Sequence, residues 1–311
     1  MDRFSYNIYK RSLLKRLIRA NDKIIVSVSG GGDSVALFVV LMDFMEKMDL
    51  TLHMAHFHHG LRKESDHEEE SVRNLAQKYT IPLTVFHSTD FLQVKGVQEK
   101  ARSWRKKNLL ELRSKLNFDH IALGHHQDDL IETQIWKIAR GCSLFALKGI
   151  SPKSGRFIRP LLYTPKMDLL HFLKRRNISW CEDSSNLDNV YTRNIIRNEI
   201  LPLMEKISGD RLRDKLTGLA NDAVQLEQAF VKTAKKGYTE ETLSYTTIND
   251  LSPPFAQEFL HRFLLEHGQI EITRANIEKI ISLVNQKKGN WSISLKHGKK
   301  ILGKRGNLYL L

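Results

Sequence analysis

Cysteine is nearly missing from this chain. The 311 residues hold only Cys142 and Cys181. They are too far apart in sequence for a Cys-x-x-Cys pair, which excludes a disulfide framework or an iron–sulfur cage within one chain. Such usage belongs to a reducing compartment. Long apolar runs are missing too, so no segment reads as membrane-spanning. The N-terminal residues carry Asp2, Arg3, Lys10, Arg11, Lys15 and Arg16 where a secretory leader would be apolar. Leu13, Leu14, Leu17 and Ile18 instead have the spacing of an opening amphipathic helix. The expectation is a cytoplasmic protein with no membrane contact. The lysine-bearing Walker phosphate loop and the dinucleotide fingerprint are absent, as are internal repeats and low-complexity tracts. Acidic residues are in short supply, 35 against 49 Lys and Arg, for a formal net charge of +14. That excess favours polyanionic partners through counterion release, nucleic acid foremost.

What is present is an alternation. Ile24–Val28, Leu52–Phe57, Leu83–His87 and Asp119–Gly124 read as buried strands; Val35–Met48, Glu68–Tyr79, Val97–Leu116 and Asp128–Arg140 have helical spacing. Strands alternating with helices imply an α/β fold: a five-stranded, doubly wound parallel sheet covered on both faces. Ligands of such sheets bind outside the carboxyl ends of the strands. Prolines 152, 160 and 165 break the pattern, a helix follows over 166–176, and Pro202 and Gly209 mark a domain edge. The expected division is a catalytic domain over 1–205, a helical linker over 206–244, and a small α+β domain over 245–311. The last is expected to carry helices over 254–267 and 273–287, then an antiparallel sheet from 291–295, 299–302 and 307–311.

Between the first strand and its helix lies Ser29-Gly30-Gly31-Gly32-Asp33-Ser34. Glycines let the backbone approach oxygens closely, and successive amides at a helix N-terminus form an anion nest. Asp33 is the informative residue. A carboxylate beside phosphates is repulsive unless a cation sits between them, and Mg²⁺ binds one or two carboxylates plus substrate phosphates. The competing reading is a tight turn in which Asp33 and Ser34 cap the helix.

The Ser-Gly-Gly-x-Asp-Ser string resembles the ATP loop of the N-type ATP pyrophosphatases, shared by several synthetases and RNA thiolases. Further strings narrow the resemblance: His56-Phe57-His58-His59-Gly60-Leu61-Arg62, His125-His126-Gln127-Asp128-Asp129-Leu130-Ile131-Glu132-Thr133, Arg159-Pro160-Leu161-Leu162, Glu182-Asp183-Ser184-Ser185-Asn186-Leu187-Asp188, and Tyr191-Thr192-Arg193-Asn194-Ile195-Ile196-Arg197. Together these resemble the tRNA(Ile)-lysidine synthetase family over about the first two thirds of the chain, with the tail matching in outline. The resemblance implies an ATP- and Mg²⁺-dependent ligase acting on an isoleucine tRNA with a CAU anticodon and on free L-lysine. ATP would adenylate O2 of the wobble cytidine with release of pyrophosphate. The lysine ε-amine would then attack C2 and expel AMP. Many members of the family dimerise. The alternative is another enzyme on the same loop, such as a tRNA thiolase.

The resemblance also distributes roles. Ser29, Gly30, Gly31, Gly32, Asp33, Ser34, His56 and Arg62 are expected at ATP, with Asp33 on the metal. Arg102 and Arg105, three apart on a helix, are expected to act in catalysis with Asp33, although the aromatic residue usual after the second arginine is here Lys106; a solvated helix face is the other reading. Asp129 and Glu132, also three apart and so on one helix face, are expected to hold lysine or take its proton. Otherwise they are the acidic first turn that favours a helix dipole. Arg193 and Arg197 are expected at RNA, unless they form internal ion pairs with Asp183 and Asp188. Lys299, Lys300, Lys304 and Arg305 resemble an RNA-gripping surface, or a charged sheet edge that resists aggregation. His125 and His126 either contact phosphate, orient Asp129, or are structural. The cluster of His53, His56, His58 and His59 lacks cysteines and alternates across a strand, which disfavours zinc.

Overall fold

A computed structural model describes residues 1–58, 64–88, 97–181, 192–209, 211–234, 242–268, 272–286, 289–295 and 298–311. The chain divides into two compact units, Met1–Ala139 with Gly149–Gly218, and Arg140–Lys148 with Leu219–Leu311.

The first unit is built on a six-stranded sheet. Its strands are β1 (Lys23–Ser27), β2 (Thr51–His58), β3 (Leu83–His87), β4 (His120–Ala122), β5 (Lys153–Ser154) and β6 (Phe157–Ile158). Their spatial order is β3-β2-β1-β4-β6-β5. All neighbours pair in parallel except β5, a short antiparallel edge strand on β6. The five-stranded parallel core is as expected; the short edge strand is additional. Strand alternation sorts the core. Ile24 and Val26 join the cluster formed with α2 (Gly32–Met48), while Ile25 joins Leu109 and Leu112 of α4 (Val97–Leu116) on the opposite face. Helix α2 is apolar almost all round because it is covered on every side. Ala36, Leu37, Phe38, Val40, Leu41 and Phe44 are each 0% exposed, against the sheet, α3 (Glu64–Lys78), α1 (Arg3–Leu14) and α6 (Lys166–Arg175). Each such large side chain contributes roughly 1.5–3 kcal/mol, which anchors the helix that carries the glycine loop.

Two details differ from the sequence reading. Helix α1 stops at Leu14 because Arg16 takes a left-handed φ of 52°. Leu17 and Ile18 are then buried beyond the helix end, while Leu14 is 82% exposed. Past the sheet, α7 (Thr192–Ile195) runs through a π turn at Ile196–Ile200 into α8 (Leu201–Ser208). Ile196, Leu201 and Leu212 pack with Ile131 and Ile135 of α5 (Gln127–Ala139). Helix α9 (Leu212–Ala234) follows, and the division between units falls within it.

The second unit has its own core. Phe230 meets Phe145, Phe255 and Phe259 with ring centroids 5.2, 5.5 and 6.2 Å apart. It comprises β7 (Thr242–Ser244), α10 (Tyr245–Asn249), α11 (Pro253–Gly268), α12 (Arg274–Asn285), β8 (Trp291–Ser294), β9 (Lys300–Lys304) and β10 (Asn307–Leu310). The strands form a four-stranded antiparallel sheet in the order β7-β10-β9-β8. A two-residue turn, Arg305 (φ 49°) and Gly306 (φ 76°), joins β9 to β10; positive φ at both positions matches the twist of the strands it connects.

Candidate active site at the strand ends

The strand order reverses between β1 and β4, where the loops following both strands meet at the carboxyl edge of the sheet. The glycine loop occupies this point. Gly30 has φ +96°, reserved in practice for glycine. A Cβ on Gly32 would lie 2.6 Å from Leu170 Cδ2 and 3.3 Å from Trp180 Cδ1, so the third glycine also answers to packing against α6 and the 180 region. The two serines brace the loop. Ser34 Oγ donates to Gly31 O at 2.9 Å and accepts from the Ser29 amide at 3.1 Å. Cys181 ties the loop down from the other side, its amide donating to Gly30 O at 3.0 Å. Gly31 caps α2 without a side-chain bond, and no described residue accepts from the amides of Gly30 or Asp33. The loop is therefore held rigid by contacts that leave amides at the helix start open, the condition for binding an anion there.

Asp33 is the centre of the charged network. Its Oδ2 lies 3.3 Å from His126 Nε2 and 3.8 Å from Lys166 Nζ. Its Oδ1 is buried with no hydrogen-bond partner. Burial alone would raise this carboxyl, but His126, Lys166 and Arg197 outweigh it and hold Asp33 below the usual carboxylate range. The result is a fixed anion with one uncommitted oxygen. Gly124 makes the approach possible: a Cβ there would lie 3.1 Å from Asp33 O.

His126 is 2% exposed and surrounded by carboxylates, with Nε2 3.5 Å from Asp129 Oδ2 and Nδ1 3.5 Å from Asp128 Oδ2. Its amide donates to Asp129 Oδ2 at 2.9 Å, a capping arrangement at the start of α5. Asp128 is pinned from two sides. Its Oδ2 accepts from the Lys166 amide at 3.0 Å and its Oδ1 from Arg213, which also reaches Glu205 at 2.7 Å. Gln127 Nε2 donates to Thr217 Oγ1 at 3.0 Å. Asp128, Lys166, Gly124 and Arg213 gave no signal of these roles in the sequence, because each acts through a contact with a distant segment.

Asp129 and Glu132 share a face of α5 but differ in access. The Asp129 side chain is 18% exposed and that of Glu132 is 1%. Glu132 Oε1 accepts from Arg197 Nε at 2.6 Å, while Oε2 is buried without a partner. Arg197 thus sits in an ion pair at the α5 face. Burial works against its charge, but Glu132, Asp129 and Asp33 hold it above the usual arginine range. Arg193 is exposed one turn before it. Arg102, Arg159 and Arg193 all act electrostatically on His125, together with Asp129. Burial first, and then those arginines, lower His125 to about 4, so it is neutral at physiological pH. Arg102 and Arg105 lie one turn apart on α4 with exposed side chains. His56 is 1% exposed; its Nδ1 donates to Val28 O at 2.9 Å and its Nε2 is buried without a partner. His53 and His58 go elsewhere, to Thr84 and Asp66. Arg62, His59 and the 182–191 string, including Asp183 and Asp188, lie outside the described residues. Lys299, Lys300, Lys304 and Arg305 belong to the second unit, where Lys300, Lys304 and Arg305 are exposed and Lys299 is half-buried. No helix among the described residues is long and apolar enough to cross a membrane.

A glycine loop at a topological switch point, followed by an aspartate with a free oxygen, defines the class. Residues 5–204 match the family described as the PP-loop domain, whose members use ATP. A U34-tRNA thiolase, NcsA from Methanococcus maripaludis with its iron–sulfur cluster, superposes with a TM-score of 0.60 over 71% of this chain and 78% of that one. At 17% identity this shows the fold alone. Curated relatives go further. The chain is 30% identical to the tRNA(Ile)-lysidine synthase of Petrotoga mobilis, over 90% of this chain and 91% of that protein. It is 36% identical to the tRNA(Ile)-lysidine synthase of Thermosipho africanus, over 62% of this chain but only 46% of that longer protein. The chain belongs to the tRNA(Ile)-lysidine synthase family.

Proposed function

We propose that this chain carries out the whole reaction of its family: ATP-dependent joining of the ε-amine of free lysine to C2 of the wobble cytidine in a tRNA(Ile) with a CAU anticodon. The observation that carries this reading is the chain of contacts from Asp33 through His126 to Asp129. It sets an ATP-side carboxylate and an amine-side carboxylate side by side at one nitrogen, Nε2, of a single imidazole.

The residues fit a magnesium-bound triphosphate. Asp33 is anionic, rigid and keeps one oxygen uncommitted, which suits a metal that keeps most of its ligands as phosphate and water. The open amides before α2 suit phosphate oxygens. Bound magnesium would neutralise charge on the pyrophosphate leaving group. In the first step O2 of the cytosine attacks the α-phosphorus and pyrophosphate departs. Arg102 and Arg105 are assigned to the negative charge that develops there. In the second step the lysine nitrogen attacks C2, the C2–O2 bond breaks, and AMP leaves with that oxygen. The amine must first lose a proton, since free lysine is an ammonium at neutral pH. Asp129, the more accessible carboxylate, is assigned to receive the ammonium and take its proton, and Glu132 to support it, with Arg197 positioning Glu132. Lys300, Lys304 and Arg305 are assigned to RNA backbone, in keeping with the excess positive charge of the chain.

A thiolase reading of the same loop finds only two single cysteines, far apart in sequence, and no pair to carry sulfur. The test is pyrophosphate release from ATP with tRNA and lysine supplied or withheld. The reading predicts release that depends on tRNA and product that depends on lysine. Pyrophosphate formed without tRNA would point to a small-molecule synthetase and defeat it.

A further inference from the structure

Arg159 opens the Arg159-Pro160-Leu161-Leu162 string, to which the mechanism above gives no task. The residue follows β6 directly. That strand pairs with β4 in a register that sets Ile121 against Phe157 and Ala122 against Ile158, and the Leu123 amide donates to Ile158 O at 3.0 Å. Arg159 therefore leaves the sheet at its carboxyl edge, beside the strand that delivers His125 and His126. It is half-buried. Its Nη1 donates to Ser151 O at 2.8 Å, and its Nε is buried with no partner. Among the described residues no carboxylate pairs with it. Its charged neighbour is Arg102, and burial followed by that like charge lowers it to about 10. Nearby, His125 Nδ1 is also buried and unpartnered. The acid within reach of His125 is Asp129, whose Oδ2 is already engaged by the His126 amide.

Burying a cation without a counter-charge is costly, and three other partly buried arginines each carry one. Arg176 is paired with Asp43, Arg197 with Glu132, and Arg262 with Glu227 and Glu258. An arginine left uncompensated beside a second arginine, at the edge where the substrates bind, is stabilised when an oxyanion arrives. The planar guanidinium offers donors in the geometry that phosphate accepts.

We propose that Arg159, with Arg102 beside it, forms a phosphate-binding site at the end of β6, in addition to the glycine loop. The phosphate comes either from the RNA backbone next to the reacting cytidine or from ATP. This rests on the ATP and tRNA reading above.

The test uses the full chain with Arg159→Gln and Arg159→Lys. Affinity for the unmodified tRNA is measured by anisotropy over a salt series, the KM for ATP by tRNA-dependent pyrophosphate release, and stability by calorimetry. Arg159→Gln is expected to weaken one of the two substrates by about tenfold or more, with Arg159→Lys recovering part of the loss. The melting temperature should stay level or rise, since an unpaired buried charge has been removed. Weaker tRNA binding with a salt slope shallower by about one unit identifies RNA phosphate. A raised KM for ATP at unchanged tRNA affinity identifies the nucleotide. Wild-type values for both substrates would overturn the inference. So would a lowered melting temperature with equal loss of both, which is what a purely structural bond to Ser151 would give. An inert wild-type protein would instead defeat the functional reading itself.

Discussion

Replacing Arg197 by methionine should damage this protein more than replacing its partner Glu132 by glutamine. The two side chains meet at 2.6 Å, but the carboxylate is 1% exposed and the guanidinium 30%. At an effective dielectric of about 20 their gross attraction is about 6 kcal/mol, most of it offset by desolvation. The asymmetry lies in what each substitution leaves behind. Arg197→Met strands a carboxylate that water cannot reach, and breaking a buried pair in this way costs about 3–5 kcal/mol. Glu132→Gln leaves a guanidinium that can turn to solvent and keeps an oxygen for its Nε, so about 1 kcal/mol is expected. The double variant Arg197→Met/Glu132→Leu should recover most of the single loss, because no charge is left buried. Urea denaturation followed by far-ultraviolet circular dichroism measures all three. Equal costs for the two single variants, or a double variant as unstable as the sum, would refute the reasoning and show that the pair is not closed in solution. On activity, Glu132→Gln should chiefly raise the KM for lysine while leaving pyrophosphate formation largely intact.

Asp33→Asn removes the anion with the free oxygen and should abolish pyrophosphate release while tRNA affinity stays within about twofold, as expected when no phosphodiester contact is lost; pyrophosphate turnover near the wild-type rate would show that Asp33 holds no metal. His126→Ala should raise the KM for lysine by about tenfold, the worth of one lost positioning contact, with a much smaller effect on pyrophosphate formation; the opposite split would mean that His126 serves the nucleotide alone. Because His125 is lowered to about 4 in the folded protein, against about 6.5 unfolded, the unfolded chain takes up its proton first as pH falls. Its contribution to stability is thus complete above the unfolded value and lost as pH drops from about 6.5 toward 4. His125→Gln should flatten the stability profile in that window, and an unchanged profile would contradict the burial of this ring. Replacing Lys300, Lys304 and Arg305 together by glutamine should weaken tRNA binding and make its salt slope shallower; unchanged affinity would release the second unit from an RNA role.

The parallel sheet was legible because its strands are apolar on both faces and each is followed by a helix of clear periodicity, as with Ile24–Val28 and Val35–Met48. The short β5–β6 hairpin was not, since strands this brief leave no alternation to detect. The three-residue strand β7 was hidden in the same way. Within the site, the glycine loop and the acids of α5 were legible as local strings. The pairing of Glu132 with Arg197 was not, because it joins residues 65 positions apart, and neither residue type specifies its partner. The same holds for Asp128 and Arg213, 85 positions apart. Gly124 looked like an ordinary strand terminus, and only the crossing of α2 beneath it explains why a side chain has no room there.

The most direct measurement is mass spectrometry of the wobble nucleoside after incubating the protein with tRNA(Ile), ATP, magnesium and isotopically labelled lysine. A cytidine heavier by one labelled lysine less one water, with AMP and pyrophosphate formed in equal amounts, is the predicted outcome. Unmodified cytidine in the presence of all four components, or a base carrying sulfur instead, would contradict it.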